Sequence, residues 1–168
     1  MTKDLLRDDG SRTSSEVASA SLASTRRAAG TIAQGGRAKA YRPIPLDLRR
    51  AALAAAVAAW ERGDWFETHE LLEPAWMGAD DPAERDLYQG LIKLAAAYVH
   101  RSRGNGLGLA RNLAGAHDRL ARVAAGRGTE QGVKVNLLLA EVWRRLPADG
   151  GPADMGPEPP AIQILEVP

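Results

Sequence analysis

The sequence predicts an all-α fold, a compact array of about five helices with a disordered N-terminal arm and a Pro/Gly-rich C-terminal tail. Three observations lead there. From about residue 46 to residue 146 apolar side chains recur every three or four positions, the period of helices with one face in a core. No segment alternates apolar and polar residues long enough to make a core strand. The breaks between periodic stretches are short and hold Gly, Asp, Asn and Pro, the residues that start and stop helices.

Residues 1–40 are rich in Ser, Ala, Gly, Thr and Arg without a sustained apolar period, a composition that cannot bury enough surface to offset chain entropy. They are expected to form a disordered arm, and Asp4, Asp8, Asp9 and Glu16 argue against an organelle transit peptide. The helical domain is expected over residues 41–146. Pro43 and Pro45 impose an extended entry, and the alanine-rich run from Leu46 to Arg62 has strong helix propensity and ends at Gly63. Asp64, with Glu67 three positions on, reads as a capping box for a second helix, Trp65 to about Met77. Asp81-Pro82-Ala83-Glu84 is the next start signal, for a third helix to about Arg103. Gly104-Asn105-Gly106 turns the chain into a fourth helix reaching about Ala124, and Glu130 to Leu146 reads as a fifth. Residues 147–168 form a linker-like tail whose tip, Ile162, Ile164, Leu165 and Val167, is apolar and expected to dock back on the bundle.

Composition narrows the function. With no cysteine, disulfides, thiolate catalysis and cysteine-ligated clusters are excluded. Twenty-two basic against 21 acidic residues leave a formal charge of +1, so no global field attracts nucleic acid or membrane. Arg26, Arg27, Arg37, Arg42, Arg49 and Arg50 cluster in the first third and read as a solubilising tail and an exposed helix start. Without an apolar run long enough to span a bilayer or a secretory signal, the expected location is the cytoplasm.

Chemistry concentrates on the second and third helices. On a wheel of about 100° per residue, His69, Glu73 and Trp76 share a narrow arc flanked by Trp65, Phe66 and Leu72. Burying two ionisable groups without partners costs several kcal/mol, so partners are expected from another helix. Gln89, Lys93, Ala96 and His100 line up on one side of the third helix, with Ala96 leaving room in the middle. The expected site is therefore a buried pocket in which His69 and Glu73 face Gln89, Lys93 and His100, with Glu70 at its edge. Asn105 caps the fourth helix or reaches the same place, capping being the better reading. Three uses remain open: a satisfied core network that sets helix register, a small-molecule or anion site built on Lys93 and the imidazoles, and a divalent metal site of His69, Glu73 and His100, with Glu70 as a further ligand.

Other signals are weaker. His69-Glu70-Leu71-Leu72-Glu73 lacks the second histidine of the zincin motif, which removes protease chemistry. The glycines at 104, 106 and 108 join two helices and do not follow a strand, so they are not a phosphate loop. His117 lies on an apolar face and reads as a core or edge residue.

The pattern Trp60-x-x-Gly63-Asp64-Trp65-Phe66-Glu67-x-His69-Glu70-Leu71-Leu72-Glu73-x-x-Trp76, followed by Leu87-Tyr88-Gln89-Gly90-Leu91-Ile92-Lys93-Leu94-Ala95-Ala96-Ala97 and Gly104-Asn105, resembles the bacterial domain-of-unknown-function family 309 over about residues 45–124. The resemblance implies an array of about five helices and no established activity. It places the family's motif on His69, Glu70, Glu73, Gln89, Gly90 and Asn105, with His100 ending the alanine-rich helix and Lys93 standing where the family carries glutamine. No complete catalytic signature is present, so a binding or structural role is favoured over catalysis. Two classes remain: a small-ligand or metal-binding helical domain, in which His69 with Glu70 or Glu73 would be the general base of any catalysis, and a helical-hairpin module that presents a groove to a protein partner.

Overall fold

The computed structural model describes residues 31–34, 37–40, 43–147, 153–156 and 158–165. It divides into two units, residues 1–41 and 42–168. In the first, β1 (Thr31–Gln34) pairs antiparallel with β2 (Arg37–Ala40), with Thr31 opposite Ala40 and Gln34 opposite Arg37. This hairpin falls inside the stretch that composition marks as a disordered arm; the rest of that stretch lies outside the described residues.

The second unit is the helical array: α1 (Leu46–Glu61), α2 (Trp65–Gly78), α3 (Pro82–Ser102), α4 (Gly106–Gly126) and α5 (Val135–Arg145). Both N-caps operate as the sequence suggests. Asp64 accepts from the amide of Glu67 at 3.0 Å, and Asp81 accepts from the amides of Ala83 and Glu84 at 2.7 and 3.1 Å. Those amides hold the Asp81 carboxyl below its ordinary pKa. Gly63 takes φ +78°, the left-handed turn that releases the chain from α1.

One element departs from expectation. Residues 129–134 are not helix: β3 (Thr129–Glu130) pairs with β4 (Val133–Lys134). Gln131 and Gly132 have φ 48° and 81°, so a two-residue turn with both central residues left-handed interrupts the run and delays α5 to Val135.

The core is made of Leu, Ala and aromatic side chains. Trp60, Trp65 and Tyr98 bring α1, α2 and α3 together, with ring centroids 4.6 to 5.0 Å apart. Thr68 ties α2 to α1: its hydroxyl donates to Asp64 O at 2.8 Å and lies 3.4 Å from Ala56 O. The tail docks through its backbone and Ile162, while Ile164 and Leu165 of the expected apolar tip stay exposed and Val167 lies outside the described residues. Trp60 Nε1 donates to Pro160 O at 2.9 Å, Lys134 N to Gln163 O at 2.9 Å and Leu165 N to Gly132 O at 2.8 Å, while Met155 and Ile162 are buried. Arg145 Nε and Nη2 hold the carbonyls of Met155 and Glu158.

The deepest charged group among the described residues was not legible as such. Glu84, only 2% exposed, accepts Arg49 Nε at 2.7 Å and Nη2 at 3.0 Å, and Tyr88 OH at 2.9 Å. Arg49 also donates to the carbonyls of Ile44 and Gly78. Arg49, read as part of an exposed helix start, is instead a half-buried fork that joins the beginnings of α1 and α3 to the end of α2. Burial, and then the Glu84 carboxylate, push the Tyr88 phenol well above its ordinary pKa.

Two stability measurements follow. Arg49→Ala leaves Glu84 buried without its charge partner and is expected to cost about 3 kcal/mol in urea unfolding; a loss below about 0.5 kcal/mol would contradict the role given to the pair. Glu130 is the second buried carboxyl, 7% exposed, with Arg127 Nη1 at 3.4 Å, and burial raises its pKa. In the acid range between its unfolded and folded pKa the native state holds more protons than the unfolded one. Its contribution therefore falls as pH rises through that window. Glu130→Gln is expected to raise Tm at pH 7 and to lose that advantage at acid pH, checked by thermal melts at both.

Candidate functional site

Helix α2 is anchored by Thr68, Leu72, Ala75 and Trp76, all buried. The periodicity that seats those four turns Phe66, His69, Glu70 and Glu73 away from the core. Phe66 and Glu70 are exposed, and His69 and Glu73 half-buried. His69 Nδ1 lies 3.1 Å from Glu70 Oε1, and His69, Glu70 and Glu73 each bring one ligand-type atom within 4.8 Å of the others. Among the described residues this is where histidine and carboxylates gather closely enough to hold an ion.

The pocket expected between α2 and α3 exists in altered form. Phe66 and His69 from α2, with Ala96, Val99, His100 and Arg103 from α3 and its end, line a groove of about 160 Å³. The gap at Ala96 is there, and the two imidazoles share it. It is a surface groove with half-buried histidines, so the expectation of a burial site is corrected.

The polar row of α3 is also corrected. Lys93 and His100 lean on α4, because α4 carries glycines where their side chains arrive. A Cβ on Gly115 would stand 2.8 Å from Lys93 Cδ, and one on Gly108 would stand 2.5 Å from His100 Nδ1. In an antiparallel pair, positions 93 and 100 of α3 meet 115 and 108 of α4, seven residues apart on each helix. Gln89 is buried and, like Lys93 and Glu73, is not in the groove lining. His100 is not one of the three clustered groups; of the expected ligands His69, Glu73, His100 and Glu70, those that lie together are His69, Glu70 and Glu73.

Asn105 does both things the sequence allowed. Its Oδ1 accepts the Gly108 amide at 2.9 Å, capping α4, and its Nδ2 lies 3.1 Å from His100 Nδ1, fixing that ring at the groove's end. Arg103 escaped the sequence reading as a site residue, although the series 96, 99, 100, 103 at helical spacing would have found it. His117 is half-buried and packs on Trp143 at 5.2 Å, the edge position expected of it. A second cavity, of about 490 Å³, lies between Trp60, Glu61, Lys134 and the docked tail from Glu158 to Ile164.

The groove, the ligand cluster and the Gly108–His100 contact of the α3–α4 register fall in one segment, with Gly115 just beyond it. Residues 53–112 match the family model Domain of unknown function (DUF309). That is the family which the motifs resemble, and the match covers this segment of the chain. No curated protein and no solved structure matches the chain. The DUF309 segment holds every candidate site residue and Glu84, whereas Arg49, the β3–β4 turn, α5 and the tail lie outside it.

Gly108→Ala tests the register directly. The added methyl cannot coexist with the His100 ring where it stands, so the ring must move and Asn105 must lose it. A destabilisation of about 1–3 kcal/mol, as for overpacking, and a shifted His100 imidazole resonance are expected by NMR; an unchanged resonance would remove the contact.

Proposed function

We propose that the DUF309 segment binds a divalent transition metal on the outer face of α2 through His69, Glu70 and Glu73. The observation that carries the reading is the convergence of three ligand-type atoms within 4.8 Å on little more than one helical turn. His69 and Glu73 stand at i and i+4, one above the other on the helix, and Glu70 completes a facial arc.

The donor set suits the ion. Tetrahedral zinc with bonds of about 2.0–2.1 Å places its donors roughly 3.4 Å apart, so each pair need close by at most about 1.4 Å. Glu70 is half-exposed and its carboxylate can swing that far by rotamer change. One imidazole and two carboxylates form the mixed N/O set that zinc and iron accept, leaving a position for water or a small ligand. That position lies beside the groove, because His69 belongs to both. With the ion bound, the Glu70–His69 contact changes from a hydrogen bond within the cluster to shared ligation.

Isothermal titration of the full chain with zinc chloride, after dialysis against chelator, is expected to give one site per chain. His69→Ala and Glu73→Gln are each expected to weaken it by tenfold or more, while Lys93→Gln, on the α4 side, leaves it unchanged. No measurable heat, or equal binding by His69→Ala, overturns the reading.

A further inference from the structure

We propose that the groove between α2 and α3 binds a small apolar monocarboxylate of about the size of one aromatic ring, with Arg103 taking the carboxylate. The inference goes beyond the function proposed for this face by naming a ligand class for the neighbouring groove. It rests on the shape and charge of the groove, not on the metal.

Size comes first. An open groove of about 160 Å³ is well below the 300 Å³ or more of drug-sized sites and has room for a ligand of about one ring. The lining is apolar over most of its extent, from Phe66, Ala96 and Val99, and Ala96 supplies the depth because its methyl leaves room that a longer side chain would fill. Phe66 is 61% exposed, an aromatic face without a core role, so a ring laid against it would bury surface that now faces water.

Charge comes second. Arg103 lines the same groove, and its guanidinium makes no ion pair or side-chain hydrogen bond among the described residues. Its planar fork suits a carboxylate, and His100, held by Asn105, offers a second polar contact at that end. The C-terminus of α3 is unfavourable to an anion there, but α4 begins at the same corner and its N-terminal dipole opposes that effect. Glu70 and Glu73 would repel the anion; Glu73 lies about two turns along α2 from Phe66, which orients the apolar end of the ligand toward α2 and its carboxylate toward Arg103. One charge at one end of an apolar slot selects a monocarboxylate over a dicarboxylate or a sugar.

The test uses benzoate titrated calorimetrically into the full chain with chelator present, so that metal plays no part. A Kd of about 1 mM or tighter is expected, consistent with a ligand of nine heavy atoms. Benzyl alcohol, the neutral analogue, is expected to bind at least about tenfold more weakly, and Arg103→Gln to lose at least about tenfold for benzoate while leaving benzyl alcohol unchanged. Arg103 is exposed, so that variant keeps the fold. Ala96→Leu, with thermal melting to confirm folding, is expected to abolish both. Benzoate binding that persists in Arg103→Gln, equal binding of the alcohol, or no binding at 10 mM (about tenfold above the expected Kd) overturns the proposal. Zinc titrations of the same variants separate the two readings, since Arg103→Gln leaves metal binding intact and His69→Ala removes it.

Discussion

Helices α3 and α4 can approach closely because glycine stands at the places where α3 sends its longer polar side chains. Lys93 passes over Gly115 and His100 over Gly108, while Gly90 of α3 receives Leu120 of α4 within 3.0 Å of where a Cβ would be. A matched spacing of seven residues on both helices keeps these contacts in phase, so the pair locks in one antiparallel register. The α3 side of the candidate site depends on that register. It turns Lys93 away from α2, it holds His100 at the groove's end, and it places Asn105 where one side chain can both cap α4 and orient an imidazole.

The other half of the array is held by different physics. Arg49, Glu84 and Tyr88 form a buried, hydrogen-bonded charge pair at one end of the bundle, and Trp60, Trp65 and Tyr98 form an aromatic cluster toward the other. The ion pair is specific, because leaving either charge unpaired in that place is costly. The aromatic cluster is tolerant and supplies area. Its one polar loose end is the Tyr98 hydroxyl, buried without a hydrogen-bond partner among the described residues. Burial raises the pKa of that phenol, against the opposing field of Arg145, which also holds the tail in place. The docked tail thus closes over the cluster through Trp60, and the proline-rich sequence supplies a carbonyl for an indole that would otherwise be buried unpaired.

Local chemistry made most of the fold legible. Asp64 and Asp81 announce helix starts because their caps act over three residues, and Gly63 announces a stop because only a residue without Cβ takes its φ readily. The β3–β4 turn was missed because Gln131 carries no turn signal of its own; its positive φ is imposed by the hairpin that the tail then extends at Val133 and Ile164. The site was half legible. A helical wheel shows that His69 and Glu73 share a face and that Ala96 makes a gap, but it does not say which neighbour a face meets. Gln89 and Lys93 were assigned to α2 because partners were sought for the charges of α2, whereas His100 does share the groove with His69. The deciding residues were glycines on α4, whose missing side chains draw no attention in a search for chemistry. Arg49 was misread for a related reason: its partner stands 35 residues away, hidden in a capping motif that explains Glu84 without it.

The two parts of the candidate site differ in what sustains them. His69, Glu70 and Glu73 sit on one helix, so their spacing is set by the helix itself and survives small shifts of its neighbours. The groove is made by two helices and vanishes if α2 and α3 separate or rotate. What fixes that separation is the aromatic cluster, with Trp65 of α2 4.9 Å from Tyr98 of α3, and the caps that begin α2 and end α3 nearby. Tyr98 and Val99 are adjacent on α3, one turned to the cluster and the other to the groove, so the spacing between α2 and α3 is common to both. An α2 displaced by the width of a methyl group would still carry its ligand cluster unchanged, but the slot beside Ala96 would open or close. The shape of the groove is therefore set by core packing, and the spacing of the three ligand-type groups by α2 alone.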